Sequence, residues 1–285
     1  MFEGFELSMV DIGEAVLRVR RGGEGPPVLL LHGHPQTHVM WHKVAPLLAW
    51  DFTVIAADLR GYGQSSKPPS TPDHVPYSKR VMALDQIALM RHFGFEQFSV
   101  VGHDRGGRCA YRMALDHPDV VEKLAVLDII PTGEAYWRTN MEFAMGYWHW
   151  FFLSQPEDFP EKMINANPEN YYFRKGRERF DPEALADYLE AVHNPETVRA
   201  VCEDYRAAAT IDTQLDAADK GKRKISCPTL VLWGAQADLN KWYDVPAIWR
   251  DWAENVQGHA IDCGHYLAEE APEETYAALY DFLTA

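Results

Sequence analysis

Short, mostly apolar runs recur along the chain, and each stops at a polar or glycine-containing turn. They are Val28–Leu31 before HGHP, Thr53–Ala57 before DLRGYG, Phe98–Val101 before GHDRGG, Leu124–Leu127 before DIIPTG, Thr229–Trp233 before GAQAD, and His259–Asp262 before CGH. Runs of this length, closed by turn residues, predict buried strands. Stretches with helical spacing, such as Ser78–Phe93 and Gly107–His117, lie between most of them. Strand–helix alternation of this kind predicts a mainly parallel sheet with helices on both faces. Ahead of it, Glu6–Arg21 around DIGEA predicts an antiparallel hairpin.

One stretch breaks the alternation. From Gly133 to Lys224 there is no convincing strand, only helix formers and aromatic clusters such as EFAMGYWHWFFL and NYYFRKGRERF. Its place between two strand–helix segments predicts a helical cap, residues 133–224, inserted into an α/β core made of residues 1–132 and 225–285. The basic run KGKRK near the end of the cap is expected to be a solvated loop.

The most informative segment is VVGHDRGGRCAYRMA. A strand runs into Gly102-His103-Asp104-Arg105-Gly106 and a helix follows, which is the G-x-nucleophile-x-G elbow of the α/β-hydrolase fold with aspartate in the nucleophile position. Side chains at 102 and 106 would collide with the neighbouring helix and strand, so glycine is required there. Aspartate changes the chemistry. A serine that displaces a group from saturated carbon forms an ether, a dead end. Aspartate forms an ester that water can cleave at the carboxyl carbon. The elbow therefore points to alkyl-halide or epoxide hydrolysis and away from esterases and lipases.

The remaining machinery has recognisable places. His265, in DCGHY after the last predicted strand, stands where this fold puts its general base. Two acids could orient its imidazole: Asp128, directly after Leu124–Leu127, and Asp238, in the WGAQAD turn; Asp128 is favoured. In HGHP the backbone amide of His34 is expected to supply one half of an oxyanion hole, and the amide of Arg105 the other. Arg105 follows the nucleophile and Arg108 lies one helical turn on, so both can point to the space above Asp104.

Composition narrows the partners. The 285 residues carry a formal net charge of −15, which disfavours nucleic acid and anionic membrane surfaces. An anionic substrate would then need positive charge inside its pocket. No apolar run is long enough to span a bilayer and the N-terminus does not read as a signal peptide, so a cytoplasmic location is expected. The four cysteines, Cys109, Cys202, Cys227 and Cys263, are scattered and form no CxxC pair, so no metal site is expected and buried thiols are.

GHDRGGR, LDIIPT, GYWHWFFL, EDYRAAA and CGHYLAEEAPEE together resemble the fluoroacetate (haloacetate) dehalogenases, and the resemblance spans core and cap. It implies Asp104 as nucleophile, His265 as base and Asp128 as its acid partner. It implies that Arg105 and Arg108 bind the carboxylate of a small haloacid, and that His149, Trp150 and Tyr205 hold the halogen and the leaving halide. It implies no cofactor, and a homodimer. In the same aromatic run, Trp148, Phe151 and Phe152 are expected to be cap core. Other activities share the Asp nucleophile. A haloalkane dehalogenase typically has an apolar residue or Trp just after the nucleophile, where this chain has Arg105. An epoxide hydrolase needs cap tyrosines, and Tyr136, Tyr147, Tyr171, Tyr172, Tyr188 and Tyr205 are available. A non-catalytic receptor on the same fold is disfavoured by the intact elbow, base and acid.

Overall fold

The computed structural model describes residues 1–285. Eight strands form one sheet: β1 (Glu6–Asp11), β2 (Val16–Gly22), β3 (Pro27–Leu31), β4 (Thr53–Ala57), β5 (Phe98–His103), β6 (Val121–Leu127), β7 (Thr229–Gly234) and β8 (Val256–Ile261). Their order is β1-β2-β4-β3-β5-β6-β7-β8. The hairpin β1–β2 is antiparallel and joins β4 antiparallel; every pairing from β4 through β3 to β8 is parallel.

The central strands are continuous apolar runs because both their faces are covered. Leu29 and Leu31 of β3, with Ile55 and Ala57 of β4, enter the core on one side of the sheet. Val28, Leu30, Val54 and Ala56 enter the core on the other. The last strand departs from the expected His259–Asp262: it starts at Val256 and ends at Ile261. It is an edge strand with largely exposed side chains, so its apolar signal is weak and pairing with β7 sets its limits.

Between β6 and β7 the chain forms helices and no strand. Four helices matter for the site: α1 (Lys79–His92), α2 (Asp104–Asp116), α3 (Trp148–Leu153) and α4 (Pro195–Ala207). The Ser78 side chain caps α1 by accepting from the Val81 N–H. The basic run at 220–224 is exposed but not free. Lys220 pairs with Glu134 at 2.6 Å and Arg223 with Asp219 at 3.0 Å, so it fastens the chain as it returns to β7. All four cysteines are buried free thiols.

Candidate active site

The site begins at the turn between β5 and α2. The backbone changes direction at Asp104, whose φ of 44° lies in the left-handed region that non-glycine residues seldom adopt. The turn closes because its neighbours lack side chains. A Cβ on Gly102 would lie 2.5 Å from the Gly106 carbonyl oxygen, and one on Gly106 would lie 2.5 Å from that of His32. A Cβ on Gly33 would lie 2.6 Å from Asp104 Cβ. With three segments this close, the His34 N–H donates to Asp104 Oδ1 at 2.9 Å. An oxyanion formed on this carboxyl carbon would meet the same amide. The Arg105 N–H is in the first turn of α2, among those a helix leaves without an internal partner.

Asp128 follows β6 and is buried. One of its oxygens accepts from the Gly234 N–H at 2.9 Å; the other lies 2.5 Å from His265 Nδ1. This contact orients the ring and leaves Nε2 for the reacting groups. Asp238 lines the same cavity, but its carboxylate is partly exposed and pairs with Lys241 at 3.0 Å. His103 supports the base from below, its Nε2 donating to the His265 carbonyl oxygen at 2.8 Å. Burial pushes the pKa of His103 down to about 3, so it does this as a neutral ring.

The charges are arranged for an ionised nucleophile. Burial, the largest influence on Asp104, favours the neutral acid. The fields of His265, Arg108 and Arg105 outweigh it and hold the carboxyl well below the usual range. For His265 the balance runs the other way. Burial opposes its charged form, but the hydrogen bond and charge of Asp128, then the charge of Asp104, raise its pKa above the ordinary value.

A cavity of about 680 Å³ opens over Asp104. The core supplies His34 and His265 to its wall, and the cap supplies His149 and Trp150 from α3 and Tyr205 from α4. The Tyr205 ring lies 5.5 Å from His34, 5.9 Å from His149 and 6.2 Å from Trp150, centroid to centroid. Burial pushes His34 down to about 3 and His149 down to about 4, so both are neutral near pH 7. Burial, then the charge of Asp104, keeps the Tyr205 phenol protonated. Trp148 is not cap core as expected: it is 43% exposed and lines the cavity.

The two arginines differ from expectation. Neither belongs to the cavity wall. Each guanidinium instead lies on the ring face of a wall residue, Arg105 at 4.2 Å from the Tyr205 centroid and Arg108 at 4.5 Å from that of Trp150. Arg105 is fully buried and turns its Nε and Nη2 to the Asp204 carboxylate, at 2.8 and 2.7 Å. Arg108 donates through Nη1 to the Ile130 carbonyl at 3.0 Å and to Thr132 Oγ1 at 3.2 Å. Arg105 Nη1 and Arg108 Nε remain buried without partners. Such donors are costly to leave unmet.

Sequence reasoning missed Asp204, Lys79, Tyr62 and the supporting role of His103. Asp204 stands one residue before Tyr205 in EDYRAAA, but nothing in that spacing shows that it reaches Arg105, 99 residues away.

The α/β hydrolase fold family matches residues 26–272. The chain is 46% identical to a fluoroacetate dehalogenase from Burkholderia sp, over 100% of this chain and 95% of that protein. It is 35% identical to a soluble epoxide hydrolase from Corynebacterium sp. (strain C12), over 88% of this chain and 87% of that protein. The structure of an α/β hydrolase from Nostoc sp PCC 7120 superposes with a TM-score of 0.98 at 56% identity, covering 100% of this chain and 99% of the other.

Proposed function

The chain belongs to the fluoroacetate dehalogenase family of α/β hydrolases, and we propose that it hydrolyses the carbon–halogen bond of a short haloacetate to give glycolate and halide. The observation that carries this reading is the pair of buried, half-satisfied guanidiniums around Asp104. Arg105 Nη1 and Arg108 Nε are open donors in a region closed to bulk water. A small carboxylate brought beside Asp104 would offer these donors a charge-matched partner. A neutral alkyl halide or a simple epoxide would leave them unmet.

With the carboxylate held there, Asp104 attacks the halogen-bearing carbon in line, the carbon–halogen bond breaks and an aspartyl ester forms. The departing halide accepts hydrogen bonds from the His149 ring, the Trp150 indole and the Tyr205 phenol, all uncharged donors on the cap side. Fluoride needs them most, because it is a poor leaving group that hydrogen bonds stabilise strongly. His265, held by Asp128, then takes a proton from water. The resulting hydroxide attacks the ester carbon of Asp104, and the amides of His34 and Arg105 stabilise the oxyanion. Glycolate leaves with the proton returned by His265, and the Asp104 carboxyl releases the proton it gained from the hydroxide to return to its carboxylate form.

The two steps can be separated. His265→Asn keeps an ionised Asp104 but has no base for ester hydrolysis. Mixed with chloroacetate, it should release about one equivalent of chloride and gain about 58 Da, a carboxymethyl group on Asp104, as covalent catalysis requires. Wild-type protein should release fluoride or chloride steadily from the haloacetates. Steady turnover by His265→Asn without an adduct would overturn the aspartyl-ester route. No halide release by the wild type would overturn the substrate class.

A further inference from the structure

Asp204 raises an electrostatic difficulty. It is fully buried on the cap helix α4 and binds the guanidinium proposed to receive the substrate. Its Oδ1 takes Arg105 Nη2 and its Oδ2 takes Arg105 Nε. The Asp204 carbonyl oxygen also accepts from Nη2, at 2.9 Å. These contacts fix the plane of the guanidinium and aim the one free nitrogen. They also set an anion against the cation meant to attract one. Alone, Arg105 and Asp204 sum to +1 − 1 = 0, and a negatively charged substrate would gain little from the pair.

Lys79 removes the difficulty. It is the first residue of α1, on the core side, and is 1% exposed. Its ammonium ion-pairs with Asp204 Oδ1, and Tyr62 donates to Oδ2 at 2.7 Å. Asp204 is thus surrounded by donors on both oxygens. The Lys79 backbone N–H is held by Asp212 Oδ1 at 2.9 Å, which anchors the start of α1 to the chain just beyond α4. Lys79 thus offsets the charge that Asp204 sets against Arg105, and the buried Asp212 carboxyl, raised to about 6 by burial, is the other acid beside it. A buried lysine is expensive to desolvate, and no surface ion pair would justify its place here.

We propose that Lys79 and Asp204 are positioning residues for substrate binding: Asp204 sets the orientation of Arg105, and Lys79 offsets the charge of Asp204 so that Arg105 keeps its attraction for a small carboxylate. The proposal rests on the haloacetate reading above. It assigns the bridge between core and cap a role in affinity and none in bond breaking, since neither side chain touches the reacting atoms.

The test uses chloroacetate turnover, with glycolate as competitive inhibitor, on the full chain. Lys79→Met should raise KM by roughly tenfold or more and raise the glycolate inhibition constant by a similar factor, while kcat stays within about threefold, because lost ground-state binding appears in KM. Lys79→Arg should restore both constants. The double variant Lys79→Met with Asp204→Asn removes opposite charges together, leaves no anion paired with Arg105, and should bind glycolate more tightly than Lys79→Met alone. It also carries the test should Lys79→Met fail to fold, since its glycolate constant should then stay within about tenfold of wild type. Loss of kcat with KM unchanged in Lys79→Met, or a double variant that binds no better than the single one, would overturn the proposal. Both outcomes are read against a wild type that turns over chloroacetate, so they are distinct from failure of the haloacetate reading itself.

Discussion

The core and the cap build their halves of the site by different means. In the core, the reacting groups stand at the ends of parallel strands in register. His103 pairs with Leu127, so Asp104 and Asp128 emerge side by side, and Gly234 pairs with Ile261 just before the His265 loop. Backbone hydrogen bonds position these groups before any side-chain contact forms. In the cap, His149 and Trp150 share α3 and Tyr205 sits on α4, and all three are placed by ring-to-ring packing and by the guanidiniums of Arg105 and Arg108. The core half can be kept while the cap half is varied, which separates the chemistry of the ester from the choice of substrate.

The contrast breaks most visibly at the acid. Asp128→Asn should lower turnover by about 10³- to 10⁴-fold, because the imidazole loses its orientation and its charge partner. Asp238→Asn, on an exposed carboxylate, should stay within about threefold of wild type. Steady-state halide release measures both, and the opposite ranking would transfer the acid's role to Asp238.

The arginines come next. Arg108→Leu should cost about 2–4 kcal/mol of transition-state binding in kcat/KM, through loss of a charge-assisted contact in a dry site. Arg105→Leu should lose as much activity and also about 3–5 kcal/mol of stability, because it strips a buried carboxylate of its main partner. Urea unfolding beside kinetics separates the two effects. Equal stability of the two variants would show that Asp204 does not depend on Arg105.

On the cap side, Trp150→Phe keeps the ring and removes the donor. Fluoroacetate hydrolysis should fall about tenfold further than chloroacetate hydrolysis, since fluoride relies more on hydrogen bonds. Equal losses would argue against a halide contact at Trp150.

The smallest expected effect is on pH. In the proposed route His265 acts as a neutral base, and its pKa is raised above the ordinary histidine value. Turnover should therefore decline as pH falls through a midpoint above about 6.5, the unperturbed value. Steady-state turnover measured across pH 5–8 places that midpoint. His34 and His149, pushed down to about 3 and about 4, should add no second limb in that range. A midpoint below 6.5 would show that the Asp128 contact does not govern the base.

The elbow was legible because its cause is local. Two glycines four residues apart, an acid between them, a strand before and a helix after admit one geometry, and the close approaches at Gly102 and Gly106 are what that pattern demands. The central strands were legible for the same reason: burial on both faces leaves an unbroken apolar run. The edge strand β8 was misplaced by three residues at its start because exposure removes that signal.

The sequence by itself thus determined the elbow around Asp104, the succession of strands along the chain that puts His265 after the last one, and the two acids that could serve it. Only the tertiary structure tells their placements apart. Asp128 and Asp238 both follow strands, and the register of β6, β7 and β8 puts one beside His265 and the other beside Lys241. The Arg105 contact with Asp204 and the Lys79 contact with the same carboxylate join residues 99 and 125 positions apart. Such pairings leave no periodicity or motif in the chain, because their geometry exists only once the cap has closed over the core and excluded the water that would otherwise solvate those charges.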